Sequence, residues 1–171
     1  MADDATMTIS ALILPDEISK TLAGQTFSYA PANATEGWYY KIADVTTSNA
    51  DLISTESYLQ FGGTAAGVDT GSTMHNVHAN DVVKFLFIKH TGKTDDGSTG
   101  NTADSVYLCF DGGTAAHNLV DAVEVGPNET WFAKFNNLTV GNLHCISGQK
   151  AGAGTGGNKI QCIVAAIIDN V

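Results

Sequence analysis

Asp81-Val82-Val83-Lys84-Phe85-Leu86-Phe87-Ile88-Lys89-His90 is apolar at consecutive positions rather than at alternate ones. Successive side chains of a strand point to opposite faces, so a strand of this content needs cover on both sides, from a second sheet or from a partner subunit. Ile160-Gln161-Cys162-Ile163-Val164-Ala165-Ala166-Ile167-Ile168 repeats the pattern. Around these two runs, short segments rich in Thr, Val, Ile and aromatics alternate with Gly, Asn, Asp and Ser, the composition of strands and turns. Strands are read over 5–14, 25–30, 36–44, 57–62, 81–90, 105–111, 119–125, 129–135, 138–147 and 158–169. One helix is expected over Pro15-Asp16-Glu17-Ile18-Ser19-Lys20-Thr21-Leu22-Ala23-Gly24, with Pro and acids at its start and Gly at its stop. A helical turn is read near 49–53. The prediction is an all-β fold, a two-sheet antiparallel sandwich of jelly-roll type with one short N-terminal helix. It forms a single domain over 1–171, with 1–24 as an arm carrying the helix.

Composition excludes several function classes. The 171 residues fit one domain, and the net charge is −10 with 18 acids against 8 bases. All eight bases are Lys. Without Arg forks or a cationic stripe, no nucleic-acid partner is expected. No apolar run approaches the length of a membrane helix, so no membrane partner is expected either. Met1-Ala2-Asp3-Asp4 is acidic, which reads against a signal peptide. Cys109, Cys145 and Cys162 each sit in an apolar run without CxxC spacing, as buried free thiols do in a reducing cytoplasm.

The motifs that resemble chemistry lack its context. Thr91-Gly92-Lys93-Thr94 has the end of a phosphate loop but neither its first Gly nor a following helix. Gly152-Ala153-Gly154-Thr155-Gly156-Gly157 matches a dinucleotide fingerprint but runs into a strand, as a hairpin loop does. His75 and His78 lack a third ligand at zinc spacing, and Asp95, Asp96 and Asp104 miss the calcium-loop pattern. No GxSxG elbow is present. The expectation is no catalytic residue, no cofactor, no metal and no enzyme activity. Residues 58–66 echo 107–116, and Val77-His78-Ala79-Asn80-Asp81 echoes Val125-Gly126-Pro127-Asn128-Glu129. Duplication and chance both account for the echo. Trp38, Tyr39 and Tyr40, with Trp131 and Phe132, place aromatics on both faces of their strands. These five are the candidate protein-interface residues, although aromatics also pack under loops.

Ser105-Val106-Tyr107-Leu108-Cys109-Phe110-Asp111-Gly112-Gly113-Thr114-Ala115-Ala116, then Asp121-Ala122-Val123-Glu124-Val125-Gly126-Pro127-Asn128-Glu129-Thr130-Trp131, then Asn142-Leu143-His144-Cys145-Ile146-Ser147-Gly148 resemble small β-sandwich virion structural proteins of tailed bacteriophages, those of marine cyanobacterial phages in particular. Thr6-Met7-Thr8-Ile9-Ser10-Ala11-Leu12-Ile13-Leu14-Pro15 and Gly37-Trp38-Tyr39-Tyr40-Lys41 are similar to the same group. The resemblance implies a capsid decoration (cement) protein on the capsid exterior, made in the host bacterial cytoplasm. Its partners would be the major capsid protein or neighbouring virion proteins and copies of itself in a homotrimer. It brings no catalytic residues. A tail, neck or baseplate component, a carbohydrate-binding sandwich for host attachment built on Trp38, Tyr39, Tyr40 and Trp131, and a cupin-like enzyme using His75 and His78 are the alternatives.

Overall fold

The structure is a computed structural model that describes residues 5–9, 25–29, 31–32, 35–55, 58–61, 74–99, 104–149, 152–153 and 158–171. Its strands are β1 (Ala5–Ile9), β2 (Gln25–Tyr29), β3 (Glu36–Val45), β4 (Ala50–Asp51), β5 (Tyr58–Phe61), β6 (Met74–Asn76), β7 (Val82–Thr94), β8 (Asp104–Cys109), β9 (Val123–Val125), β10 (Thr130–Thr139), β11 (His144–Gln149), β12 (Gly152–Ala153) and β13 (Ile160–Asp169). The helix expected over 15–24 lies outside the described residues. Among those residues no helix is long and apolar enough to cross a membrane.

The fold is all-β. A six-stranded antiparallel sheet runs β10-β7-β13-β3-β5-β6, and a five-stranded one runs β12-β11-β8-β9 with β4 also on β11. The strands β1 and β2 pair with each other. Eight strands pair in a nested order. β3 pairs with β13, β4 with β11, β7 with β10 and β8 with β9, so the first meets the last and the fourth meets the fifth. Contacts of β13 with β7 and of β11 with β8 join these pairs into the two sheets.

Register decides which residues enter the core. Tyr39, Ala166, Leu86 and Ala133 form one inward row across β3, β13, β7 and β10. Ala43, Cys162 and His90 form another. They meet Val106 and Leu108 of β8 and Cys145 of β11 from the opposite sheet in one apolar cluster. A register shift between Ile167 and Ile168 leaves Lys84 as the extra residue on β7. This bulge lets Val83 stay inside although Phe85 faces out. Lys84 then reaches Asp169 at 3.4 Å. On the β10 side, Phe110 stacks on Trp131 at 5.4 Å and lies 5.3 Å from Phe135, closing the space between the sheets.

Four expectations are corrected. The helical turn near 49–53 is instead the short strand β4, because Ala50 and Asp51 pair with Cys145 and His144. The expected strand over 119–125 shortens to β9, because 116–122 folds into two turns. The expected break at 136–137 is a bulge within β10, and the chain turns later, through a 3-10 turn at Val140–Asn142. There Gly141 donates to the Ala79 carbonyl at 2.9 Å, and a Cβ would lie 3.1 Å from that of Ala79. The loop expected over 91–104 begins late, because β7 continues to Thr94 opposite Ile160. Gly92 allows this by kinking the strand at φ +72°.

The shorter echo is real in the backbone. His78 to Asp81 and Gly126 to Glu129 are both turns closed by a backbone bond, at 3.0 and 2.9 Å. In both, the acid's carboxylate returns to the first residue's N–H, at 2.8 Å in each case. The second has Pro127 followed by Asn128 at φ 66°, a type II turn. Each turn launches one strand of the β7–β10 pair.

Ile88 is fully buried and Ile42 is 53% exposed on the other face. Ile88→Ala should destabilise the fold by about 2–5 kcal/mol in a denaturant titration, and Ile42→Ala by less than about 0.5 kcal/mol.

Candidate functional site

The outer face of the six-stranded sheet is the candidate site. Three rows cross it. Trp38, Ile167, Phe85 and Lys134 form the first, Tyr40, Ala165, Phe87 and Phe132 the second, and Ile42, Ile163 and Lys89 the third. The first row's centre is covered: Phe85 and Ile167 are buried, and Trp38 packs edge-on to Phe85 at 6.2 Å. The other two rows open to solvent through Tyr40, 67% exposed, and Ile42. An apolar face of this kind excludes water when another protein surface covers it.

Strand alternation divides the five candidate interface residues. Trp38, Tyr40 and Phe132 face outward. Tyr39 is 1% exposed within the core, and Trp131 packs against the core beside Phe110. Tyr39 and Trp131 therefore serve the interior of this chain, because their neighbours on either side take the outer face.

The outer face of the five-stranded sheet differs. Tyr107 and Cys109 of β8, Ile146 of β11 and Ala115 of the following loop make a small second cluster. Around it stand Asp51, Asp111, Asp121 and Glu124, all exposed. Cys109, Asp111 and Asp121 are the one group of potential metal ligands among the described residues. Two of the three are engaged with each other. The Cys109 thiol donates to Asp111 at 2.8 Å, and the Gly113 N–H donates to the same oxygen at 2.7 Å. Burial, then the bond to Asp111, pushes the thiol's pKa up, and that bond holds the Asp111 carboxyl low. His144 fastens this loop to the sheet: its Nδ1–H donates to the Gly113 carbonyl at 2.6 Å, and its Nε2 faces Asp51 at 3.2 Å.

A third polar group lies inside. His90 is fully buried at the end of an inward row. Its Nδ1 accepts from the Gly92 N–H at 2.9 Å, and its Nε2–H donates to the Asp104 carbonyl at 3.2 Å. These partners hold the neutral Nε2–H tautomer, since a proton on Nδ1 would confront the amide donor. Burial lowers the His90 pKa; the Asp104 carbonyl and the charges of Asp104 and Glu129 offset part of that shift. Asp104 shares the inward face of β8 with Val106 and Leu108, and neither of its carboxylate oxygens has a hydrogen-bond partner among the described residues.

The remaining sequence motifs stay apart. Gly92 and Lys93 lie in β7, not before a helix, and Gly152 and Ala153 pair with Gln149 and Gly148. His75 is in β6 and His78 in the turn after it. Asp95 pairs with Lys159 at 3.3 Å, Asp96 accepts the Ser98 N–H at 2.9 Å, and Asp104 turns inward. The sequence reading missed Ile42, Phe87 and Ile163 as surface residues and His90 as a buried one. Period-two alternation carried that signal, but only register shows which alternate face is outer.

No protein-family model matches the chain, and no curated protein matches it. Among solved structures, the chain is similar to the coat protein of Tobacco streak virus. They share 10% identity over 94% of this chain and 90% of that one, with a TM-score of 0.37, too low to carry fold or function across.

Two measurements check this chemistry. His90 has a folded pKa below its ordinary value, so the unfolded chain takes up the proton first. Stability should fall as pH drops through about 6.5, and His90→Gln should flatten that part of the melting profile while lowering its plateau. Burial pushes the Cys145 thiol up to about 12 and raises that of Cys162 further. Thiol reagents at pH 8 should leave both unlabelled until denaturant is added.

Proposed function

We propose that this chain is a virion structural protein of jelly-roll type, acting as a capsid decoration protein on the outer surface of a tailed-phage head. One observation carries the reading: the nested pairing of eight strands, first with last through fourth with fifth. Two four-stranded sheets wound in this way are the jelly-roll pattern, used in viral capsid and lectin domains and in cupins. The resemblance of most of the sequence to phage virion proteins selects the first of these. The role is non-enzymatic, with neither cofactor nor metal, and works by covering and bridging neighbouring subunits.

Surface chemistry supports contact with protein. Among the described residues, Tyr40 has Ala165 beside it in its row and Trp38 and Ile42 in the rows on either side, apolar neighbours that suit contact with protein. A charge of −10 without Arg suits the exterior better than the genome side, where phosphate charge would oppose it. The partners are the major capsid protein and further copies of this chain, with a homotrimer as the unit.

Quantitative mass spectrometry of purified virions tests the placement. A decoration protein should be present at some hundreds of copies per particle. A count of about six or twelve, that of a single symmetric ring, would instead assign it to the neck or baseplate.

A further inference from the structure

We infer that copies of this chain associate head to tail: the loop over 110–122 of one copy docks on the outer face of the six-stranded sheet of the next. This deepens the structural-protein reading and rests on it only for the expectation that copies meet.

The two surfaces are complementary in apolar content. Tyr40 and Ile42 stand exposed on the six-stranded sheet, flanked by the half-buried Phe87, Phe132 and Ile163. Leu119 and Val120 stand exposed at the tip of the loop, Val120 completely. Leu119 and Val120 occupy turns whose backbone bonds run from Leu119 to Ala116 and from Ala122 to Leu119, so they project from a formed loop. Each surface has what the other can bury. The sheet offers a broad apolar area, and the loop a small exposed apolar tip.

They are also complementary in charge. Lys89 and Lys134 stand in the outward rows, Lys89 exposed in that of Ile42 and Lys134 in that of Trp38, whereas Lys41 falls in the inward series of β3 with Tyr39 and Ala43. Of the acids in the outward series, Asp169 is paired with Lys84, Glu36 is buried, and Asp44 is exposed two residues beyond Ile42. The opposite surface carries Asp51, Asp111, Asp121 and Glu124, and no Lys lies on β4, β8, β9, β11 or within 110–122. On a chain of net charge −10, this separation of sign between two faces favours unlike surfaces meeting. A face-to-face pairing of two sheets would instead bring two lysine-bearing faces together. A contact between different patches is heterologous, and it closes into a ring or extends as a chain.

Two full-length variants test this. One spoils the sheet face (Ile42→Asp with Lys89→Glu) and the other spoils the loop (Val120→Lys with Asp121→Lys). Circular dichroism checks the fold of each, and if either fails to fold, Lys89→Glu alone and Asp121→Lys alone replace them. Light scattering on a sizing column should show an oligomer for the parent chain and a monomer for each variant. An equimolar mixture should give a one-to-one heterodimer and nothing larger, because it retains one intact loop and one intact sheet face. Self-association of the loop variant would mean that sheet faces pair with each other and would overturn the inference. A monomeric parent chain, or a mixture that stays monomeric, would also overturn it. Virion copy number reads the place on the particle, while this mixture reads the contact between copies, so either can fail while the other stands.

Discussion

The structure depends on β13, a strand with apolar side chains on both faces and a hydrogen-bonded partner along each edge. From Gly37 to Val45 its register with β3 is continuous, and its register with β7 is broken in two places. The break at Lys84, with one extra residue on β7, keeps both strands in phase with the core, while the break between Ile160 and Cys162 adds two and leaves the phase unchanged. Without the bulge at Lys84, the side chains beyond it on β7 would exchange faces, moving Val83 outward. The other sheet, the aromatic closure at Phe110 and the placement of His90 all follow from this pairing. It fixes which half of each alternating pattern meets the second sheet.

Much of the architecture was legible in the sequence because local composition reports it. Consecutive apolar residues in 82–90 and 160–168 identified the two adjacent interior strands of the six-stranded sheet, although their outer face is only partly covered, and Gly-rich or Asn-rich joints marked most ends. The failures have specific causes. Ala50 and Asp51 have little strand propensity and are extended because β11 supplies bonding partners from far along the chain. The polar content of Thr91 to Thr94 suggested a loop, but Ile160 pairs with Thr94 and draws the strand onward. Asn136 and Asn137 suggested a turn and are absorbed by a bulge. In each case a distant partner outweighed the local preference.

The candidate site was legible in kind but not in membership. Trp38-Tyr39-Tyr40 announces aromatics on both faces of a strand, yet nothing local says that Tyr40 is the exposed one. That depends on which side the second sheet packs. Likewise, His90 follows Lys89 in a run that gives no hint of burial for one and exposure for the other. Chemistry-like spacings were discounted in the sequence for lack of context. They are local patterns, and the fold distributes their members among strands, turns and interior.

The insertion of β13 between β3 and β7 also governs how the chain can reach its structure. Both neighbours are antiparallel to β13, so they run parallel to each other and share no bonds of their own. They emerge during synthesis well before the strand that joins them. Until it arrives, each presents an unpaired edge beside an apolar face, and the contacts that reward closure span most of the chain. Such a topology folds slowly and passes through aggregation-prone species. The acidic, mutually repelling character of the chain then has a second use: it keeps half-made copies apart while they wait for their central strand.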